Sequence, residues 1–228
     1  MDTFDITNSD NGYEYTIEVA YPNSKTTDNV VFVLDPSSMM SLANKALNDI
    51  AYSNDVALIG IDFKGRNKRN RDYTPTEIGD ETGEADAFFN FICGDLHVEL
   101  LGRDIISGDA EISIIGHSLG GLAVTYAFIN HNDYFQNFAV LSPALYWDEY
   151  SVLEIEKQMH ESNSYVEARI FTGIGIQEEL GMQNSYEALN ELLRDNYPNV
   201  SLKTHIAEGS HLESRSESIE ESFKHILD

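Results

Sequence analysis

The sequence predicts an α/β protein, a mostly parallel, doubly wound sheet with an antiparallel N-terminal edge, in a single domain spanning residues 1–228. Three observations carry this. Short apolar runs rich in β-branched residues alternate with longer segments of helical spacing. The first strand alternates in period two, whereas the later ones are continuously apolar, as strands covered on both faces are. No repeat, low-complexity tract or linker-like stretch interrupts the pattern, and 228 residues with 42% apolar content lie within what one core supports.

The elements follow in order. "YEYTIEVAYP" (13–22) alternates and reads as the antiparallel edge. "NVVFVLD" (29–35) is a buried strand ending in Asp, followed by helical spacing over 39–53. "DVALIGIDF" (55–63) is a second buried strand, and 83–102 reads as one long amphipathic helix. "AEISIIG" (110–116) leads into a helix over 119–131, and "NFAVLSP" (137–143) is the next strand. Strand 165–173, helix 184–198, strand 200–209 and helix 213–227 close the chain. Buried strands separated by helices imply helices on both faces of a parallel sheet, with the functional site beyond the carboxyl ends of the strands.

Composition removes several classes of function. With 39 acidic and 14 basic residues the net charge is -25, which repels nucleic acid and anionic membranes as partners. No apolar run reaches the roughly 18 residues of a membrane span. The first residues have neither a basic stretch nor an apolar core, so no signal peptide is expected and the compartment expected is the cytoplasm. The single Cys93 rules out an internal disulfide. No Cys or His cluster has ligand spacing and no acidic run matches a calcium loop, so no metal or other cofactor is expected.

The chemistry is concentrated in "SIIGHSLGG" (113–121), which fits G-x-S-x-G at Gly116, Ser118 and Gly120 between an apolar strand and a helix. A strand-to-helix turn this tight strains the central residue and crowds its neighbours, which is why they lack side chains. Ser118 then projects at a helix N-terminus, where amides face a developing oxyanion. A serine hydroxyl needs a base. In chain order Ser, acid, His, the base follows the last strand, and of seven histidines only His211, in "AEGSHLES", occupies a loop there. The acid follows strand 165–173, where "IGIQEELGM" offers Glu178 and Glu179; one of them can be an ordinary glutamate at a helix N-terminus. The oxyanion donors expected are the amide of Leu119 and one after strand 29–35, where Pro36 has no N–H and Ser37 is next.

The chain resembles the putative esterase family of α/β-hydrolases, most of all its siderophore-esterase-like and esterase D-like branch. The resemblance runs through "VVFVLD", "RDYTPT", "IIGHSLGG", "LSPALYW", "TGIGIQEE" and "GSHLES", in that order and across nearly the whole chain. The elbow is shared with many hydrolases; "RDYTPT" and "SPALYW" are more specific. Matching "GIQE" to the branch's pattern favours Glu178 as the acid. Pro36 departs from the family, which often has Gly there. The resemblance implies a serine esterase working by two-step acyl transfer, with a small-molecule ester substrate of anionic or aromatic character. An acyltransferase and a catalytically silent binding protein on the same fold are the alternatives.

Two further features bear on substrate. "KGRNKRNRDYTPT" (64–76) gathers five of the 14 basic residues on a loop leaving the carboxyl edge of the sheet. Its charges either balance nearby acids or meet an anionic substrate, and Arg71 is the candidate for the latter because its planar donors suit a carboxylate. Trp147, with Tyr146 and Tyr73, either lines an aromatic pocket beside the elbow or packs in the core.

Overall fold

A computed structural model of the chain describes residues 2–21, 26–50, 56–64, 68–80, 82–160 and 165–228. Its strands are β1 (Asp2–Thr7), β2 (Glu14–Ala20), β3 (Thr27–Leu34), β4 (Val56–Phe63), β5 (Ile106–His117), β6 (Asn137–Leu141), β7 (Arg169–Gly175) and β8 (Ser201–Ala207). They form one eight-stranded sheet in the order β1-β2-β4-β3-β5-β6-β7-β8. β2 pairs antiparallel with both β1 and β4, and the remaining pairings are parallel. The helices are α1 (Pro36–Asp49), α2 (Arg69–Tyr73), α3 (Ala85–Phe91), α4 (His97–Gly102), α5 (Leu119–Asn130), α6 (Ser151–His160), α7 (Leu180–Asn196) and α8 (Arg215–Ile226). Among the described residues no helix is long and apolar enough to cross a membrane.

The continuous apolar runs are explained by burial on both faces. Successive side chains of a strand point to opposite faces. Val30, Phe32 and Leu34 of β3 enter one core, with Phe88 and Phe89 of α3 and Leu122 and Phe128 of α5. Val31 and Val33 enter the other, with Met39, Ala43 and Leu47 of α1 and Ile219 and Phe223 of α8. β4 divides in the same way, with Ile59 and Ile61 on one side and Val56 and Leu58 on the other.

Several elements differ from the sequence expectation, among them α2, which lies in the segment expected as a loop. The strand expected as the edge, β2, is covered by β1, whose polar "DTFDIT" is mostly exposed and carries little apolar signal. The long helix expected over 83–102 is interrupted by a π-helical turn, Ile92–Leu96. Phe88, Ile92, Leu96 and Leu100 are all buried at a spacing of four. That spacing outruns the 3.6-residue turn of an α-helix, and the wider turn takes up the drift. α6 was not expected; a 3-10 turn, Trp147–Tyr150, with Asp148 and Glu149 in left-handed conformation precedes it.

The chain order reverses at β3, with β4 on one side and β5 on the other. A crevice opens at such a switch point. It brings the start of α1 against the start of α5: a Cβ on Gly120 would lie 3.3 Å from Asp35 Oδ2.

The basic segment is anchored beside this switch point, and Arg66 lies outside the described residues. Arg71 does not face a substrate. It is 4% exposed, bonds Asp72 through Nε and Nη2 at 2.5 and 2.8 Å, and donates from Nη2 to Tyr15 Oη at 3.1 Å. Tyr15 Oη donates to Asp72 Oδ2 at 2.9 Å, and the guanidinium lies 3.6 Å from the centre of the Tyr13 ring. An arginine this deep is held by its counter-charge, and its burial sets it apart from a solvent-facing ligand site. Replacing Asp72 with Ala strands that charge and should lower stability by about 3–5 kcal/mol. Urea unfolding should show a lower midpoint at unchanged slope; an unchanged midpoint would mean the pair does not secure α2 to β2.

Candidate active site

β5 ends at His117 and α5 begins at Leu119, leaving Ser118 alone in the turn with φ 62° and ψ -118°. The glycines are required by contact. A Cβ on Gly116 would lie 2.3 Å from the Gly120 carbonyl oxygen. The turn is tied to the next strand: Ser118 N donates to Leu141 O at 2.9 Å, and Ala144 N donates to Ser118 O at 3.0 Å. Ser118 stays partly exposed while the residues around it are buried.

Ser118 lines an open cavity of about 670 Å³ together with His211, Glu178, Glu179, Tyr146 and Met182. His211 follows β8 on a turn where Gly209 has φ +95°, and a Cβ at Gly209 would lie 2.8 Å from Glu213 Cβ. Its Nδ1 faces Glu178 Oε2 at 2.8 Å and Oε1 at 3.1 Å. Nδ1 therefore carries the proton, and Nε2 is left as the basic nitrogen.

The choice between the glutamates follows from their neighbours. Glu178 is 6% exposed and accepts from His211 and, at 2.6 Å, from Ser142 Oγ. Glu179 is exposed and is the N-cap residue of α7, with its carbonyl accepting from Met182 N and Gln183 N. Burial alone would raise the Glu178 carboxyl, but the hydrogen bonds from His211 and Ser142 outweigh it and hold the group below its ordinary 4.5.

Leu119 is the first residue of α5, so its amide lies at the positive end of the helix. At the start of α1, Asp35 N donates to Tyr73 Oη, and Ser38 N and Met39 N turn back to Asp35 O. Pro36 has no N–H, so Ser37, which is exposed, is the first-turn amide not drawn into these bonds. Trp147 leans on the large core, whereas Tyr146, 48% exposed, lines the cavity. Of the three aromatic candidates, Tyr146 thus lines the cavity, whereas Trp147 packs on the core and Tyr73 is fully buried in it.

Two residues the sequence pattern does not select join the site. Ser142, at φ 42°, donates its hydroxyl to Glu178 and its amide to Gly173 O. His117 lies beneath His211, with ring centroids 4.4 Å apart and Nε2 2.9 Å from the His211 carbonyl oxygen. Both contacts span distant parts of the chain, so no local spacing marks them. Ligand atoms of His117, Glu178 and His211 lie within 4.8 Å of one another, a set able to approach a cation. His117 Nε2 and His211 Nδ1 both face oxygen acceptors as N–H donors, so the lone pairs of the two rings lie on His117 Nδ1 and His211 Nε2.

The depressed Glu178 sets a pH dependence. Its stabilisation is complete above the ordinary carboxylate value and is lost as pH falls through the lower folded value. Ser142→Ala removes one of the bonds that hold Glu178 down. It should cost about 1.5–3 kcal/mol at neutral pH, and acid unfolding should begin at a higher pH than in the wild type. Identical acid transitions, followed by thermal denaturation across pH, would remove Ser142 from this role.

Residues 9–218 match the family described as putative esterase. A stretch of 74 residues is 38% identical to the ferri-bacillibactin esterase BesA of Bacillus subtilis (strain 168), covering 32% of this chain and 25% of that protein, so the match spans about a quarter of the curated relative's length. The BES protein from Bacillus cereus superposes with a TM-score of 0.85 at 24% identity, over 99% of this chain and 95% of that one. The siderophore hydrolase EstA from Aspergillus nidulans superposes with a TM-score of 0.77 at 19% identity, over 96% and 92%. At such identities the two structures share the fold. With the family match covering nearly the whole length, the chain belongs to the putative esterase family.

Proposed function

We propose that the chain is a serine hydrolase of carboxylic esters that uses Ser118, His211 and Glu178. The observation that carries the reading is the convergence on one cavity of a strained serine at a helix N-terminus and a histidine whose Nδ1 is held by a buried glutamate. Ser118 attacks the ester carbonyl while His211 Nε2 takes its proton. The amides of Leu119 and Ser37 stabilise the tetrahedral oxyanion. His211 then protonates the leaving alcohol, and water, deprotonated by the same nitrogen, releases the acid from Ser118. Glu178 fixes the tautomer and stabilises the imidazolium.

The substrate class we favour is an aryl or catechol ester. Tyr146 gives the cavity an exposed aromatic face and Met182 a pliable apolar one. A ferri-bacillibactin esterase and a siderophore hydrolase are among the similar proteins. An anionic substrate has less support, since Arg71 is enclosed and the cavity presents two glutamates.

The protein should turn over p-nitrophenyl esters and catechol lactones and be labelled by a fluorophosphonate. Ser118→Ala should abolish labelling and lower kcat by about 10⁴-fold or more. A wild type that neither hydrolyses esters nor accepts the label would sink the reading. Tyr146→Ala should raise KM for aryl esters up to about tenfold, the value of a good aromatic contact, and leave alkyl esters little changed. Equal changes for both substrates would reject an aryl-recognition role.

A further inference from the structure

His117 is the residue immediately before the nucleophile, and its side chain is 6% exposed. Its ring is directed across the carboxyl ends of the strands to a loop 94 positions later, where Nε2 donates to the His211 carbonyl at 2.9 Å. Its own carbonyl accepts from Arg69 Nη2 at 3.3 Å, and Arg69 is held by Asp35 through two bonds of 2.8 and 2.9 Å. The backbone on which Ser118 is mounted is thus braced on one side, and the same residue grips the loop that carries His211.

Resting on the Ser118–His211 reading above, we infer that His117 is a positioning residue that sets the place of His211 relative to Ser118. Glu178 and His117 divide the task. Glu178 holds ring nitrogen Nδ1 and so fixes how the imidazole is turned. His117 holds the main-chain oxygen and supports the ring from below, and so fixes where the imidazole stands. Without the second bond the ring can keep its bond to Glu178 while its loop slides over the nucleophile. Displacement of a reacting group by one ångström costs about 10²-fold in rate.

A histidine suits this place because it stays uncharged there. Burial, followed by the nearby charge of His211, pushes the His117 imidazole down to about 3. It therefore supplies a hydrogen bond and a flat surface without placing a second positive charge beside the imidazolium that His211 becomes in turnover.

The test is a comparison of His117→Phe, which keeps the ring and removes the donor, with His117→Gln, whose amide nitrogen reaches the same acceptor. On a p-nitrophenyl ester, His117→Phe should lose about 10²-fold in kcat with KM nearly unchanged, and fluorophosphonate labelling should slow in parallel. His117→Gln should recover most of kcat. Wild-type kcat in His117→Phe overturns the inference, as does an equal loss in both variants or a change confined to KM. If His117→Phe does not fold, His117→Asn replaces it, since its shorter amide cannot reach the carbonyl. Asn impaired with Gln active supports the role, and both alike overturns it. Ser118→Ala in the same assay separates the two claims: activity surviving there sinks the serine-esterase reading itself, whereas an inactive Ser118→Ala beside a fully active His117→Phe sinks only the role of His117.

Discussion

At Gly116 and Gly121, where the end of β5 meets the first turn of α5 and the end of β6, there is no space for a side chain. A Cβ on Gly116 would meet the Gly120 carbonyl at 2.3 Å, and one on Gly121 would meet Leu141 O at 2.9 Å. This close approach forces Ser118 into a backbone conformation that costs on the order of 1–3 kcal/mol. The cost is met by hydrogen bonds on either side, from Ser118 N to Leu141 O and from Ala144 N to Ser118 O. The same strand then turns at Ser142, which bonds both Glu178 and β7, and β7 lies against β8 and its histidine loop. The site is therefore a row of linked turns along one edge of the sheet, and the tight turn at Ser118 is its origin.

Three of the five basic residues gathered at 64–71 in this chain of net charge -25 have internal partners. Lys64 pairs with Asp5 at 2.7 Å on the surface, Arg69 with Asp35 at the switch point, and Arg71 with Asp72 in the core. The three pairs differ in worth. The Lys64 pair is solvated and contributes little. The Arg71 pair, enclosed with Tyr15 and Tyr13, is costly to break and so determines where α2 can lie. Arg69 lies between these extremes and connects the start of α1 to the carbonyl of His117. Of the two readings of this segment, balance of nearby acids is the one its described residues Lys64, Arg69 and Arg71 follow.

Legibility in the sequence followed burial. β3, β4, β5 and β6 are covered on both faces, so their runs are continuously apolar and unmistakable. β1 lies exposed at the rim, where nothing selects for an apolar pattern, and it escaped notice. α6 follows a left-handed turn built from Asp148 and Glu149, residues that carry no glycine signal. Ser118 was legible because the turn dictates its neighbours, and His211 because it is placed by chain order. Glu178 and Glu179 remained equal on residue chemistry alone, and the family pattern leaned to Glu178. The structure separates them by burial and by the bonds from Ser142 and His211.

The sequence by itself determined the local features: the alternation of strands and helices, the glycines that permit the elbow, and the order of serine, acid and histidine. Each depends on interactions between residues a few positions apart, which a pattern along the chain records. Only the tertiary structure decided that Arg71 is enclosed, that Tyr146 rather than Trp147 faces the cavity, and that His117 and Ser142 bond His211 and Glu178. Those outcomes rest on contacts between turns 36 and 94 positions apart. They exist only where the sheet brings the carboxyl ends of β5 to β8 side by side.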